Sequence, residues 1–469
     1  MGKTRWSVLL AGGALSACAV GPNYRPAPVP ATAAGAFVSH AVGTDPAATA
    51  ADRWWRLYDD PTLDGFVTEA FAANTDLRVA MANLARARAL LSESRAGRYP
   101  STSATGGASW GRSLQNSGVA AGAREQWTYS AGLDAVWEVD LFGRVSRSIE
   151  AARGDAAALS AARDAVRVSV AAETTRAYVD ACALGASVAI ARASLTLAED
   201  SLRIVTAQQH AGSASTLDVE RAGVVAAQVR AAIAPLDGQR RAALFELAAL
   251  MGRTPAGVPE AAATCVRPPE LKAPIPIGDG AALLRRRPDV RQAERSLAAD
   301  TARIGVAMAD LYPRITLGGS AGYLRNDAVR GANAFSFSLG PLISWSFPNI
   351  AVARARVRQA KAQGEAALAT FDGVVLTALK ETEQALTAYG ADLDEHAALA
   401  EARDRAGRAF GLAQRRYGAG SISYLDVIVA QTSLIGARRQ LAASDQRLAS
   451  DRVTLFKALG GGWQTNEVP

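Results

Sequence analysis

Hydrophobic and polar residues alternate along four stretches of the chain. In residues 127–139 the odd positions are mostly aromatic or aliphatic and the even positions mostly small or polar, and residues 335–347 follow the same rule. Residues 315–323 alternate likewise, and residues 101–111 show the weakest alternation of the four. A two-residue period is typical of β-strands with one apolar and one polar face. We therefore predict four strands over these ranges.

The length and the composition of these strands favour a membrane barrel. Aromatic residues near the strand ends, with small polar residues between them, are typical of transmembrane strands that face lipid on one side and a lumen on the other. A soluble β-sandwich is the alternative, but sandwich strands are usually shorter. Four strands cannot close a barrel, and hydrocarbon does not tolerate an open sheet edge. A barrel would therefore be shared between at least two copies of the chain.

Two very long helices are predicted after the second strand of each pair, over residues 146–209 and 351–417. Neither range contains proline, and at 1.5 Å per residue each helix approaches about 100 Å, three times the hydrocarbon core of a bilayer. Both carry arginine, aspartate and glutamate throughout, so we expect them to be exposed to water. In an exported protein such helices would project across the periplasm.

The chain repeats itself after about 200 residues. Residues 211–219 recur at 419–427 with seven identities in nine positions, and the same offset of 208 maps Trp137 onto Trp345. An internal duplication with flanking segments is therefore predicted. The predicted segments are a signal peptide (1–17), an extended, lipid-anchored N-terminal tail (18–60), a first repeat (61–260), an equatorial linker (261–280), a second repeat (281–460) and a C-terminal tail (461–469).

The N-terminus has the features of a secretory signal. Lys3 and Arg5 form a positive end, and residues 8–15 form an apolar stretch that is too short to span a membrane. Residues 15–18, Leu-Ser-Ala-Cys, resemble a bacterial lipobox, in which the cysteine thiol carries diacylglycerol and cleavage before the cysteine gives a new amine for an acyl chain. A conventional signal with a coincidental cysteine is the alternative. We predict Cys18 as the lipidation site; that Ala19 follows it, rather than aspartate, favours sorting to the outer membrane by the same resemblance.

Composition agrees with long helices and argues against nucleic acid as a partner. Apolar residues make up 49% of the chain but aromatic residues only 6%, a balance that suits helices packed through small side chains. The net charge of +7 is diffuse, because arginines alternate with acidic residues along stretches such as 192–203. We interpret this pattern as a solvated helix face and predict no nucleic-acid binding.

In addition to Cys18, the chain contains two further cysteines, Cys182 and Cys265. An oxidising periplasm would allow one disulfide between them. Cys182 lies in a helical, alanine-rich stretch, however, where a small buried thiol is the simpler interpretation. We therefore favour free thiols over a disulfide.

Catalytic motifs find little support in the chain. Two G-x-S-x-G matches, centred on Ser109 and Ser320, would in a hydrolase present a nucleophile at a strand-to-helix elbow. Both serines lie within predicted strands, and the chain has only three histidines. Zinc-protease, paired C-x-x-C and P-loop motifs do not occur in the sequence. We predict no enzymatic activity, and no cofactor apart from the covalent lipid on Cys18.

Several short motifs occur in order along essentially the whole mature chain. They are CAVGPNY (18–24), WEVDLFGR (137–144), LAALMG (247–252), LRRRPDVRQAE (284–294), IGVA (304–307), YP (312–313) and YGAG (417–420). Together they resemble the TolC-like outer-membrane factor family, and in particular its lipoprotein efflux branch. The resemblance implies a mixed α and β fold in which a homotrimer forms one 12-stranded transmembrane β-barrel, four strands per chain, continued by a long periplasmic α-helical barrel.

The resemblance also implies a function and partners. The trimer would be a passive, gated conduit that exports small molecules through the outer membrane. It would dock to a periplasmic adaptor protein and to an inner-membrane pump, of the proton-driven resistance-nodulation-division type. A structural or adhesive outer-membrane lipoprotein without transport is the alternative, but alternating strands and long helices in duplicate favour the conduit. The cargo is not indicated by any motif.

The family resemblance further suggests which residues form a periplasmic gate. Acidic residues just after the second-repeat turn form a carboxylate ring in the family, and Asp426 matches the first of them, whereas Val429 stands where a second aspartate often lies. Tyr417 matches a tyrosine that links the inner helix to its neighbour, with Asp218 as its matching partner. Leu425 is the candidate for an apolar constriction.

Helix capping is the alternative role for both aspartates. Each turn continues as Ser-x-x-Asp, from Ser215 to Asp218 and from Ser423 to Asp426, which is a capping-box arrangement. Ile422 occupies the position that matches a basic residue of the family, so a salt-bridge latch lacks its basic partner here.

Overall fold

The structure is a computed structural model that describes residues 19–48, 52–112 and 125–462. The predicted signal peptide and the lipidation candidate Cys18 lie outside the described residues, as do residues 463–469 of the predicted C-terminal tail. The described residues form long helices, one four-stranded sheet and one two-stranded sheet.

Helices and strands follow the same order in the two halves of the chain. The helices are α1 (Pro61–Ala73), α2 (Thr75–Ala96), α3 (Arg144–His210), α4 (Thr216–Leu250), α5 (Glu260–Ala263), α6 (Gly280–Arg286), α7 (Pro288–Ala309), α8 (Ala351–Gly418) and α9 (Tyr424–Ala458). The strands are β1 (Thr44–Asp45), β2 (Ser101–Arg112), β3 (Glu125–Val139), β4 (Ile275–Pro276), β5 (Arg314–Arg325) and β6 (Phe335–Ser344). The order α1-α2-β2-β3-α3-α4 recurs as α6-α7-β5-β6-α8-α9, which confirms the internal duplication.

The four long strands form one antiparallel sheet in the order β2-β3-β5-β6. Each repeat supplies one hairpin, and the hairpins join where β3 pairs with β5, from Tyr129 opposite Arg325 to Val139 opposite Ile315. The predicted strand bounds agree closely with the structure except at the end of β6, which stops at Ser344 rather than at residue 347. The omitted residues precede a proline at 348, whose ring removes a ladder donor and restricts the residue before it.

The two long helices also agree with the sequence prediction. Helix α3 has 67 residues and α8 has 68, so each is about 100 Å long. Within the described residues, α3 contains one 18-residue stretch long and apolar enough to cross a membrane, and half of that stretch is buried inside the protein. Such a stretch is as typical of a packed core helix as of a membrane span.

The chain divides into two compact units, and each unit draws on both repeats. Of the described residues, the first contains 19–27, 83–112, 125–160 and 292–372, and the second contains 28–48, 52–82, 161–291 and 373–462. The units cut across the repeats because the hairpin of one repeat pairs with the hairpin of the other. Sequence repeats and compact units are therefore different divisions of this chain.

The second unit has an aromatic core to which the N-terminal segment contributes. Trp54, Trp55 and Tyr58 lie on a short 3-10 helix and are buried, and the Trp54 ring stacks on Phe456 with 4.6 Å between centroids. The prediction of an extended tail over 18–60 is therefore wrong at its C-terminal end, because large aromatic side chains gain free energy from burial. Strand β1, farther upstream, is extended and pairs in parallel with β4.

Candidate functional site

The four-stranded sheet of the first unit has one apolar and one polar face. The register places Leu133 beside Ala321 and Ala321 beside Phe337, so these three side chains share one face. Exposed aromatic and aliphatic side chains on that face are Trp127, Tyr129, Leu133, Trp137, Phe335, Phe337 and Leu339. The opposite face carries mostly serine, threonine and glycine, and the Ser320 and Ser338 hydroxyls there lie 2.8 Å apart. The sheet thus has the two-faced composition of a barrel wall between lipid and water.

Both edges of this sheet are unpaired within the described part of the chain. Strand β2 pairs only with β3, and β6 pairs only with β5. The outward amide and carbonyl groups of β2 and β6 therefore have no ladder partner among the described residues. Because hydrocarbon does not tolerate such edges, one copy of this sheet cannot be a complete membrane-spanning structure.

Charged residues gather where the sheet leads into the helices of the first unit. The Glu138 carboxylate accepts a hydrogen bond from Arg144 Nε at 2.8 Å and lies 3.9 Å from Arg314 Nε. Asp310 lies 3.7 Å from Arg314 and 3.4 Å from Arg356. Both carboxylates therefore face arginines, which compensate their negative charge at this end of the sheet.

The residues directly after Cys18 are fixed to the first unit. Val20 N donates to the Phe142 carbonyl at 3.1 Å. The buried Arg147 guanidinium donates to the Val20 carbonyl at 3.3 Å and to Asn23 Oδ1 at 2.7 Å. Cys18 itself lies outside the described residues, so lipidation there stays a prediction, but the segment that follows it is held at the end of β3.

A close backbone approach completes this attachment. Gly21 has a φ of +98°, and a Cβ there would lie 2.5 Å from the Gly305 Cα, so only glycine fits. Tyr24 Oη donates to Glu294 Oε1 at 3.2 Å, and burial, with the nearby Glu294 carboxylate, raises the pKa of Tyr24 to about 12. The sequence motif at 18–24 identified one half of this contact. Reasoning from sequence missed Arg147, and it listed Gly305 in the IGVA motif without identifying its contact with Gly21, because no local pattern marks a partner so far along the chain.

The first predicted gate turn lies in the second unit and is a helix cap. Ser215 N and Ser215 Oγ donate to Asp218 Oδ2 at 3.2 and 2.7 Å, and Asp218 N donates back to Ser215 Oγ at 3.2 Å. Asp218 also faces Arg221, with 3.8 Å between Arg221 Nη1 and Asp218 Oδ1. The capping interpretation is therefore correct for Asp218, whose charge has a cationic neighbour.

The second predicted gate turn is also a helix cap, but its aspartate has different surroundings. Ser423 N and Ser423 Oγ donate to Asp426 Oδ2 at 3.0 and 2.8 Å, so Asp426 also caps its helix. Leu425 is 42% exposed and Val429 57% exposed. Asp426 is exposed as well, and within the described residues it makes no ion pair. Asp426 thus uses one carboxylate oxygen for the cap while its side chain still faces solvent.

The tyrosine of the predicted gate has a different partner from the expected one. Tyr417 Oη donates to Gln208 Oε1 at 2.6 Å, whereas the expected partner within the chain was Asp218. The Tyr417 ring packs on Tyr424 with 5.4 Å between centroids, and Tyr424 Oη donates to the Ser201 carbonyl at 3.0 Å. Burial raises the pKa of Tyr424 to about 12. The link between the two long helices therefore exists, and the Gln208 amide oxygen rather than Asp218 accepts the Tyr417 hydrogen bond.

The structure joins Cys182 to Cys265 in a disulfide within the second unit. The preference for free thiols is therefore wrong. Cys182 is buried, as expected, but the segment that carries Cys265 passes so close to α3 that a Cβ on Gly185 would lie 2.3 Å from the Cys265 carbonyl oxygen. Arg240 also donates to the Cys265 carbonyl at 3.4 Å. This approach brings together two cysteines that are 83 residues apart in sequence.

The serines of the two G-x-S-x-G matches lie inside strands. Ser109 is in β2 and Ser320 is in β5, and each is paired within a regular ladder, opposite Thr128 and Asp134 respectively. A nucleophile elbow requires a sharp turn from strand to helix at the serine. Neither serine has that geometry.

A family model and several known proteins match most of this chain. A family model described as outer membrane efflux protein matches residues 66–253 and 281–461. The chain is similar to nodulation protein T of Rhizobium leguminosarum bv. viciae, at 31% identity over 456 residues that cover 97% of this chain and 92% of that protein. It is also similar to the pyoverdine export outer membrane protein OpmQ of Pseudomonas aeruginosa, at 34% identity over 427 residues and 88% of each chain.

Solved structures show the same likeness. The outer-membrane channel OprN has a TM-score of 0.88 and 34% identity to this chain, and the match covers 96% of this chain and 100% of that one. The open state of the MtrE outer-membrane channel of Neisseria gonorrhoeae has a TM-score of 0.82 and 26% identity, with coverage of 95% and 99%.

Proposed function

Since the chain belongs to the outer membrane efflux protein family, we propose that three copies of it form one gated duct through which solutes pass without chemical change. Its TolC-like fold class, its location in the outer membrane and its role as an efflux channel are those that the sequence predicted. The number of copies, the lipid anchor, the gate and the partners are the proposal.

The unpaired edges of the four-stranded sheet carry this proposal. Strands β2 and β6 can each find a partner only on another molecule if the sheet is to enter hydrocarbon. Three copies contribute 12 strands, the number that the family resemblance implies. In such a barrel the face with Leu133 and Phe337 would contact lipid, and the face with Ser320 and Ser338 would line water.

The N-terminal attachment supports a lipid anchor on Cys18. Val20 and Asn23 are held by Arg147 at the start of α3, so acyl chains on Cys18 would enter the membrane beside the barrel. The stacked rings of Trp345 and Phe347, 4.7 Å apart between centroids, are of the type found at membrane interfaces. Diacylglycerol and an N-acyl chain would be the only groups covalently added.

The turns of the second unit support a gate near Asp426. Its exposed carboxylate, with exposed Leu425 beside it, would form a threefold ring of charge and apolar side chains in the trimer. The hydrogen bond from Tyr417 to Gln208 would hold the closed state, with Asp218 fixing the neighbouring helix start. Opening would then separate Tyr417 from its acceptor.

Partners would supply the energy that a passive duct lacks. We expect a periplasmic adaptor protein to dock on the helices and connect the duct to a proton-driven inner-membrane pump of the resistance-nodulation-division type. The relatives include proteins named for pyoverdine export, solvent efflux and toluene efflux, so export of small molecules is the class of cargo we propose.

Mass and conductance together test the proposal. In detergent the protein should have the mass of a trimer, and in a planar bilayer it should give discrete conductance steps. A monomeric mass with intact strands would contradict the shared barrel. A trimer that never conducts would favour a structural lipoprotein. Labelled palmitate should enter the parent but not Cys18→Ser, and equal labelling of both would exclude the lipid anchor.

A further inference from the structure

One ionisable residue lies in the middle of the four-stranded sheet. Among the described residues of β2, β3, β5 and β6, the other charged side chains lie at or near the strand ends, whereas Asp134 is the tenth residue of the 15-residue strand β3. A charged group at mid-membrane is costly on the lipid face of a barrel, but not in its lumen. Its position therefore requires that the Asp134 face is the water-filled one.

The strand register gives the surroundings of this carboxylate. Asp134 pairs with Ser103 of β2 and with Ser320 of β5, and Ser320 pairs in turn with Ser338 of β6. These side chains share one face, because directly paired residues point the same way. Asp134 is thus the single charge in a row of small hydroxyl side chains.

Asp134 differs from the nearest carboxylate on the same face. Glu138 lies four residues farther along β3, about 14 Å away, and faces Arg144 and Arg314. The Asp134 side chain is exposed, and its carboxylate makes no hydrogen bond or ion pair with any described residue. No described residue therefore compensates its charge, and in the proposed barrel the carboxylate would face the lumen.

We propose that Asp134 is a charge-selectivity residue in the strand-lined part of the duct. This inference rests on the proposed trimer, in which threefold symmetry places three such carboxylates at one level of the barrel. They would raise the local concentration of cations and lower that of anions. Cationic and neutral solutes would therefore pass this level more easily than anions of the same size.

Reversal potentials across a bilayer with unequal salt concentrations test the proposal. Asp134→Asn should lower the ratio of cation to anion permeability by roughly threefold at 10 mM salt, where charges are screened only over about 30 Å. Ser320→Asn is the matched control, because it adds a similar side chain to the same row without changing charge. It should leave the ratio unchanged.

Cysteine substitution tests the direction of the side chain separately. Asp134→Cys should react with water-soluble thiol reagents, and a reagent that adds a sulfonate should restore the selectivity that the substitution removes. Leu133→Cys, on the lipid face, should remain unmodified. A conducting trimer in which Asp134→Asn has the parent permeability ratio would overturn this inference and leave the duct intact. Failure of the parent to conduct would instead contradict the proposed function.

Discussion

The two turns at the ends of the long helices differ in environment although their sequences are nearly the same. Residues 211–219 and 419–427 share seven of nine positions, and in each turn the serine backbone N and Oγ donate to the aspartate carboxylate. Yet Thr216 of the first turn is exposed, while Tyr424 at the matching position is buried and donates a hydrogen bond to the Ser201 carbonyl. At one of the two positions where the repeats differ, Tyr424 thus attaches the second turn to helix α3.

A second difference lies just beyond the shared segment. Arg221 follows Asp218 by three residues and lies 3.8 Å from it, whereas Val429 occupies the matching place after Asp426 and is exposed. The first aspartate is therefore balanced by a cation, whereas no described residue balances the second. Duplication has kept the cap that shapes both turns, and divergence at a few flanking positions has given one turn an exposed negative charge.

The largest effect is expected from copying the first turn into the second. Tyr424→Thr removes a buried ring and its hydrogen bond to the Ser201 carbonyl, and should lower the local opening free energy at the start of α9 by about 3 kcal/mol. Amide hydrogen exchange measures that free energy directly. Thr216→Ala, at the exposed matching position, should change it by less than about 0.5 kcal/mol. Equal losses at both turns would show that the comparison is mistaken.

Removing the exposed charge should come next in size. Asp426→Asn keeps an acceptor for the cap but removes the negative charge, and should weaken block by divalent cations from the periplasmic side by about tenfold, or 1.4 kcal/mol. Titrating the single-channel current with Mg²⁺ gives this affinity. Asp218→Asn is the matched variant and should shift the block by less than about twofold, because Arg221 already offsets that carboxylate. Similar shifts for both variants would indicate that neither carboxylate forms the ring.

A smaller effect is expected at the tyrosine that links the helices. Tyr417→Phe removes only the hydroxyl that bonds to Gln208, which is worth about 1 kcal/mol. Because this bond would hold the closed state, the open probability in single-channel records should rise about fivefold. Combining the change with Asp218→Ala should increase it further. If both variants keep the parent open probability as intact trimers, the gate lies elsewhere.

The smallest effect is expected from exchanging the flanking residues. Val429→Arg gives Asp426 the cation that Asp218 already has, and an exposed pair of this kind contributes about 0.2 to 1 kcal/mol. Block by Mg²⁺ should weaken about threefold. The converse change, Arg221→Val, should strengthen the block by exposing a second carboxylate. Val429→Gln serves as a control, since it adds length without charge and should leave the block unchanged.

Features with a local period could be predicted from sequence. The alternation in 127–139 predicted β3 almost to its ends, because successive residues of a strand lie on opposite faces, and the two faces of this strand differ in polarity. Proline-free runs with distributed charge predicted α3 and α8 in the same way. The caps at Asp218 and Asp426 were also predictable, since serine and aspartate three residues apart interact within one turn.

Contacts between distant segments could not be predicted. Trp54 carries no sign that it stacks on Phe456, and nothing near Cys182 indicates the segment that brings Cys265 against it. Likewise, Gln208 gives no local sign that it accepts a hydrogen bond from Tyr417. Each of these depends on the path of a segment far along the chain, and the wrong expectations for the tail and the cysteines both arose there.

The unpaired outer edges of β2 and β6 constrain the order in which copies of the chain associate and enter the membrane. A single copy gains nothing from hydrocarbon, because insertion would strip water from two rows of amides before any partner strand replaced it. Association and insertion should therefore be coupled, with copies meeting at the membrane surface before any strand crosses. The stability of the inserted sheet should therefore depend on the concentration of the chain, because dilution removes the partner strands of its edges. The amount of newly exported chain, rather than the sequence of one chain alone, sets whether a barrel forms.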